Sequence, residues 1–239
     1  MKKLAVLLAV FAIIGLTSLA LAQPAELGFN LNTTIVYGPT PDEDCADAML
    51  AQNDDGTFEN GYCWQYAGVV PPDYGSWAEC YTNNYICSVE AGFTQTGGFV
   101  GQTIDVYVWA DDGGIPGNVI CVETDVLITT PAFWPSISMH LVDVNCCADG
   151  AHFVGFWPNW PDLACAFYIG SDEDGFALGC PLTKVPAGSG YGTGWVPVTV
   201  VATFANCQDL ALREWYLDEC PGGETPTQET TWGSIKNLY

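Results

Sequence analysis

The stretch IDVYVWADDGGIPGNVICV, residues 104–122, most constrains what this chain can become. Ile104, Val106 and Val108 alternate with Asp105, Tyr107 and Trp109. Successive side chains of an extended backbone point to opposite sides. A period of two built from β-branched and aromatic residues therefore predicts a strand with one buried face. The other face carries Tyr107 and Trp109, so it is expected to be covered by a further layer or to meet a ligand. Asp111-Asp112-Gly113-Gly114 breaks the run. Pro116-Gly117 suits the centre of a type II turn, because proline presets φ at the first position and glycine accepts positive φ at the second. Residues 119–122 are predicted to return as the partner strand.

Short runs of the same kind recur. Residues 33–37 read as an edge strand, 45–50 as a helical turn, 63–70 as a strand stopped by Pro71-Pro72, and 75–87 as an aromatic turn held by a disulfide. Residues 88–94 lead into the central hairpin. Beyond it, 136–144 places Ile137, Met139 and Leu141 inward and Ser138 and His140 on the polar face. Further strands are expected over 152–157, 164–169 and 196–204. The 26 glycines and 15 prolines leave little room for helices. Many short strands at fairly even spacing predict an all-β fold: an antiparallel β-sandwich, jelly-roll-like, loop-rich and stabilised by disulfides.

Residues 1–22 have the form of a secretory leader. Lys2 and Lys3 precede an apolar run, and Ala20-Leu21-Ala22 offers small residues for cleavage. The apolar run is shorter than the ~20 residues that a spanning helix needs, so removal rather than membrane insertion is expected. Residues 23–220 form the predicted sandwich domain, and 221–239 a linker and tail. Without the leader, three basic residues stand against 28 acidic ones. Such a surface repels nucleic acid and anionic lipid, which are excluded as partners, and tolerates neutral glycans, cations or extracellular proteins. Eleven cysteines behind a leader predict a disulfide framework in an oxidising compartment, with at least one thiol left over. Zinc would want Cys-x-x-Cys pairs, and the sequence has none. Spacing does not fix the connectivity; Cys80 with Cys87 and Cys207 with Cys220 are expected because each pair flanks a short loop.

The segment VYVWADDGGIPGNVI resembles the strand, Asp/Asn-Gly-Gly-x-Pro-Gly, strand hairpin of secreted jelly-roll-like domains in bacterial surface proteins. The blocks HFVGFWPNWPD, YIGSDEDGF, PAGSGYGTGW and TTWGSIKNLY are similar to those of uncharacterised secreted bacterial β-sandwich proteins with a short C-terminal Trp-Gly-x-Ile-Lys-x-Leu-Tyr tail. The resemblance covers the chain from about Cys87 onward. It implies export, a β-sandwich and a shared tail, and it supplies no catalytic residues.

Three groups of side chains carry candidate chemistry. Trp157 and Trp160, with Asn159 between them and Tyr191 and Trp195 further on, suit stacking on sugar rings while amides take hydroxyls. The plainer reading packs these aromatics over the ends of the sandwich. Asp172 and Asp174, on the Asp-Glu-Asp-Gly loop, suit Ca2+, a hard cation that favours oxygen donors on a glycine-kinked loop. The loop 111–114 offers the same residue types, and solvated acidic turns are the commoner case. No other cofactor is expected. In the tail, Trp232, Ile235 and Tyr239 fall on one helical face with Leu238 beside it, a pattern that suits a sorting or docking peptide. Catalysis has little support: only His140 and His152 are available as a base of that type, and no nucleophile motif accompanies them. The expectation is a secreted or cell-surface interaction module that is not an enzyme. A carbohydrate-binding module is the first alternative and a glycoside hydrolase the second.

Overall fold

A computed structural model describes residues 23–65, 73–158 and 165–221. Among them the first strands are β1 (Pro24–Glu26), β2 (Thr34–Val36), β3 (Met49–Ala51), β4 (Asn60–Trp64), β5 (Trp77–Tyr81) and β6 (Tyr85–Gln95). The predicted hairpin is β7 (Thr103–Asp111) and β8 (Pro116–Leu127). Then come β9 (Ala132–Phe133), β10 (Ser136–Cys147), β11 (His152–Pro158), β12 (Tyr168–Asp172), β13 (Leu182–Val185) and β14 (Gly194–Pro197). The last are β15 (Asp209–Leu210) and β16 (Leu212–Leu217). Among the described residues, helix is confined to three single 3-10 turns. The fold is an all-β, disulfide-stabilised sandwich.

The larger sheet runs β1-β4-β12-β6-β10-β2, with β16, β3, β15 and β9 branching from it. The smaller runs β14-β13-β5-β11-β7-β8. Pairing is antiparallel except at β10 with β2 and β6 with β9. β6 is the axis of the larger sheet. It takes β10 along one side and β16 then β12 along the other, and is buried nearly throughout. Between the sheets lies the main core, where Trp64, Trp77, Phe93, Phe156 and Phe204 are almost fully buried. Ile104, Val106 and Val108 enter it as their alternation predicts.

Several details differ from expectation. The central turn is not built on Pro116-Gly117. The Asp112 N–H donates to the Ile115 carbonyl (2.9 Å), and Gly113 and Gly114 between them have φ of 71° and 94°. Two positive φ values in a two-residue loop match the right-handed twist of the flanking strands, which a type II turn would splay. Pro116 therefore opens β8. Residues 75–87 are not a cross-linked turn, because β5 and β6 belong to different sheets. The chain changes sheet at 82–84, so Cys80 and Cys87 part company. The expected strand over 196–204 ends at Pro197 and gives way to 3-10 turns at Val198–Val200 and Ala202–Phe204. The strand expected from residue 164 starts at Tyr168. Ile137 and Met139 face the core, whereas Leu141 is half-buried outside it and His140 is buried instead of facing solvent.

Five disulfides link Cys45–Cys87, Cys63–Cys165, Cys80–Cys180, Cys121–Cys146 and Cys147–Cys220. Both expected pairs are thereby corrected: Cys207 is a buried free thiol, and Cys220 bonds Cys147. Adjacent Cys146 and Cys147 serve different partners because neighbouring strand positions point to opposite faces. Cys146 reaches inward to β8 of the other sheet, and Cys147 reaches the end of the described chain. Five oxidised pairs mark an oxidising compartment as the place where this chain folds.

Candidate functional site

The smaller sheet has a second apolar cluster on its outer face. Ala78, Trp109, Phe153 and Leu182 are buried there, with Cys80, Tyr107, Cys180 and Trp195 packed around them. Strand alternation builds it. On β11, Val154 and Phe156 enter the main core, so Phe153, Gly155 and Trp157 turn outward. Across the ladder Trp109 stands opposite Phe153, Tyr107 opposite Gly155, and Asp105 opposite Trp157.

The rings form a connected set. Tyr107 lies flat on Trp109, with centroids 4.8 Å apart and planes within 10°. Trp195, arriving from β14, meets Trp109 edge-on at 5.3 Å. Both geometries are favourable for ring quadrupoles. Trp109 is only 4% exposed and acts as the support. Tyr107, Trp195 and Trp157 are half-buried and keep part of each ring at the surface. Trp157 donates its indole N–H to the Tyr74 carbonyl (3.1 Å), which fixes its ring.

Polar groups ring this platform. Lys184 pairs with Asp73 at 3.3 Å and places its ammonium 5.7 Å from the Trp195 ring centre. Asp105 accepts the Asp125 N–H (2.8 Å). Burial, with Asp125 and Asp73 nearby, raises the Asp105 carboxyl above its ordinary range. Burial and then the same acids, Asp73 and Asp105, raise the Tyr107 phenol, so it stays a hydroxyl that can donate. Lys184 and Arg213 are the basic side chains among the described residues, and Arg213 is buried. The accessible cation of the described surface thus stands on the aromatic face.

No protein-family model, curated protein or solved structure matches this chain.

Of the aromatic residues expected from sequence, Trp157 and Trp195 share the outer face. Tyr191 does not: it packs 6.1 Å from Trp64 at the edge of the main core. Asn159 and Trp160 lie outside the described residues, as do Trp232, Ile235, Leu238 and Tyr239. The alternation of Tyr107 and Trp109 with core residues marked their face as one to be covered or to meet a ligand, but it did not join them to Trp157 and Trp195. Lys184 and Asp73 gave none, because their meeting depends on the β5–β13 pairing.

Asp172 and Asp174 come together with Asp55, their carboxylate oxygens within 4.8 Å of one another, a group of hard donors that could hold a cation. Asp172 is fully buried and already accepts N–H groups from Asp55 (3.0 Å), Asp174 (3.1 Å) and Gly175 (2.8 Å). Its carboxylate organises the loop whether or not an ion binds. At the 111–114 loop, one oxygen of Asp111 accepts the Gly114 N–H (2.6 Å) and holds the hairpin turn.

Both histidines are engaged in the interior. His140 contacts Ser138 Oγ (2.9 Å) and Thr129 Oγ1 (3.1 Å), and burial drops its pKa to about 4. His152 meets the Gly150 carbonyl through Nδ1 (2.6 Å) and Glu214 through Nε2 (2.7 Å). A carbonyl can only accept, so Nδ1 is the donor to Gly150 and Nε2 faces the Glu214 carboxyl. His152 and Glu214 have no exposed side-chain surface. Their contact cross-links β11 to β16.

Proposed function

We propose that this protein is a secreted, non-catalytic β-sandwich module that binds a neutral glycan on the outer face of its smaller sheet. The observation that carries the reading is the Tyr107–Trp109–Trp195 set: two half-buried rings locked by a buried third, beside Trp157. Flat aromatic surfaces match the C–H faces of sugar rings, and a platform fixed in advance loses little entropy on binding. Asp73, Asp105 and Lys184 lie at its margin to meet hydroxyls. The strongly acidic surface disfavours anionic polysaccharides. The leader and the five disulfides support export.

Affinity electrophoresis of the purified chain against cellulose derivatives, xylan, mannan, β-glucan and starch tests this reading. Retardation by at least one is expected, weakened by about tenfold or more in Tyr107→Ala and in Trp195→Ala, which corresponds to roughly 1.4 kcal/mol per ring. Unretarded migration in every gel, or retardation that survives both changes, sinks the reading.

The C-terminal segment supports a second role, attachment or sorting, on the aromatic and aliphatic residues Trp232, Ile235, Leu238 and Tyr239. Deleting residues 229–239 should release the protein from the producing cell or block its export. Unchanged fractionation would remove that role.

A further inference from the structure

The aromatic face does not simply end at Trp109. A cavity of about 400 Å³ opens next to it and shares Phe153, Cys80 and Cys180 with the outer cluster. Asp111, two positions beyond Trp109 on the same strand and same face, stands in its wall. Leu178, 72% exposed on the loop before Cys180, and Gly114 of the β7–β8 turn bound it on other sides. The volume falls within the range of roughly 300–1,000 Å³ typical of small-ligand sites.

The polar atoms of this cavity are biased toward acceptors. The Asn53 amide nitrogen donates to the Cys80 carbonyl (3.2 Å), which leaves its oxygen for other partners. The Asn83 amide nitrogen donates to Glu214 Oε1 (2.6 Å), with the same result. These partners are themselves acceptors, so the amide orientations are not interchangeable. Asp111 uses one oxygen on Gly114 and keeps the second. Thr82, exposed at the rim, adds a hydroxyl. A matching ligand must bring several donors of its own, together with an apolar face for Phe153 and the Cys80–Cys180 sulfurs. A sugar unit with its terminal hydroxyls has that chemistry.

We propose that the cavity is a chain-end subsite: the aromatic face takes the inner units of a neutral glycan, and the cavity takes its terminal unit, whose hydroxyls donate to Asp111, Asn53 and Asn83. This inference rests on the glycan reading above and goes further by naming which part of the chain is recognised. It makes the protein a reader of polysaccharide ends. The number of molecules bound to a polymer then follows the number of chain ends rather than the polymer mass.

The test uses the full chain with its disulfides intact. Titration calorimetry with short cello-, xylo-, manno- and laminari-oligosaccharides identifies a binder. Binding capacity is then measured on the matching polysaccharide before and after partial cleavage by an endo-acting enzyme. Capacity per unit mass should rise in proportion to the new ends. Asp111→Asn, which keeps an acceptor for Gly114, and Thr82→Val should each weaken the oligosaccharide by about tenfold. Leu178→Ala, at an exposed position, is the variant least able to disturb folding and should weaken it as well. Capacity that follows mass, or oligosaccharide affinity unchanged in all three variants while Trp195→Ala abolishes it, overturns the chain-end subsite and leaves the glycan reading standing. Absence of binding to every probe overturns both.

Discussion

Trp195 and Trp109 meet at 5.3 Å although β13, β5 and β11 lie between their strands. In a flat sheet their backbones would be separated by four spacings of roughly 4.8 Å. The sheet must curl, and the outer face between them must stay low. It does so because that face carries Ala78 and Gly155. Gly155 has no alternative: an added Cβ would sit 2.0 Å from the Trp77 carbonyl oxygen of the adjoining strand. Two small residues thus make room for the contact on which the proposed binding platform depends.

Gly155→Ala is therefore expected to force β5 and β11 apart, destabilise the protein by roughly 1–3 kcal/mol as other overpacked sites do, and loosen Trp195. Thermal melts report the first effect. A red shift in tryptophan emission, with faster acrylamide quenching, reports the second. A variant with an unchanged melt and spectrum would contradict the close approach.

Arg213 grips Asp54 through two bonds, Nε to Oδ2 at 2.9 Å and Nη2 to Oδ1 at 2.6 Å, with Glu90 3.7 Å away. All three are buried. Removing the cation leaves two carboxylates without compensation, so Arg213→Ala should cost about 3–5 kcal/mol in urea unfolding. Arg213→Lys restores charge without the planar fork and should recover only part of it. Equal stability of wild type and Arg213→Ala would show that the pair is not buried as described.

The sulfur chemistry separates cleanly. Folded protein should expose no thiol to Ellman's reagent, and denatured, unreduced protein one per chain, from Cys207, whose thiol burial raises well above its ordinary range. Removing the pair Cys121–Cys146, separated by 25 residues, should cost about 3.5 kcal/mol on loop entropy, and removing Cys63–Cys165, separated by 102, about 4.7 kcal/mol. A folded chain with several titratable thiols would refute the framework.

Stability should depend on pH from both sides. Glu79 is fully buried, and burial, with Asp209 adding to it, pushes its pKa up to about 8 while its carboxyl accepts N–H groups from Cys180, Leu210 and Cys80. A raised carboxyl favours the protonated folded state. Its contribution is complete below the unfolded value of 4.5 and is lost as pH climbs through about 8. His140 is the opposite case, with a folded pKa of about 4 against 6.5. Its contribution is complete above 6.5 and is lost as pH falls through about 4. The melting temperature should decline on the alkaline side, with a shallower decline in Glu79→Gln, and on the acid side, with a shallower decline in His140→Gln. Parallel curves for wild type and variants would rule out these groups as the source.

The one-sided hydrophobic alternation of 104–108 determined a β-strand and its buried face, because that pattern satisfies a core only in extended backbone. The cysteine count behind a leader determined an oxidised scaffold with a thiol to spare. Both are local or compositional properties, readable without knowing what packs where. Cysteine pairing was not of that kind. Cys80 and Cys87 are seven positions apart, yet a change of sheet between them sends one to Cys180 and the other to Cys45. Nor were β13 and β16 legible, being short segments whose strand character comes from neighbours supplied by β5 and β6. The candidate site divides along the same line. Trp157 and Trp195 could be picked out as aromatic residues in loop-rich surroundings. That they share a face with Tyr107 and Trp109, while Tyr191 turns into the core, was decided by strand order and sheet curl. Those depend on pairings between residues far apart in the chain, which no local pattern encodes.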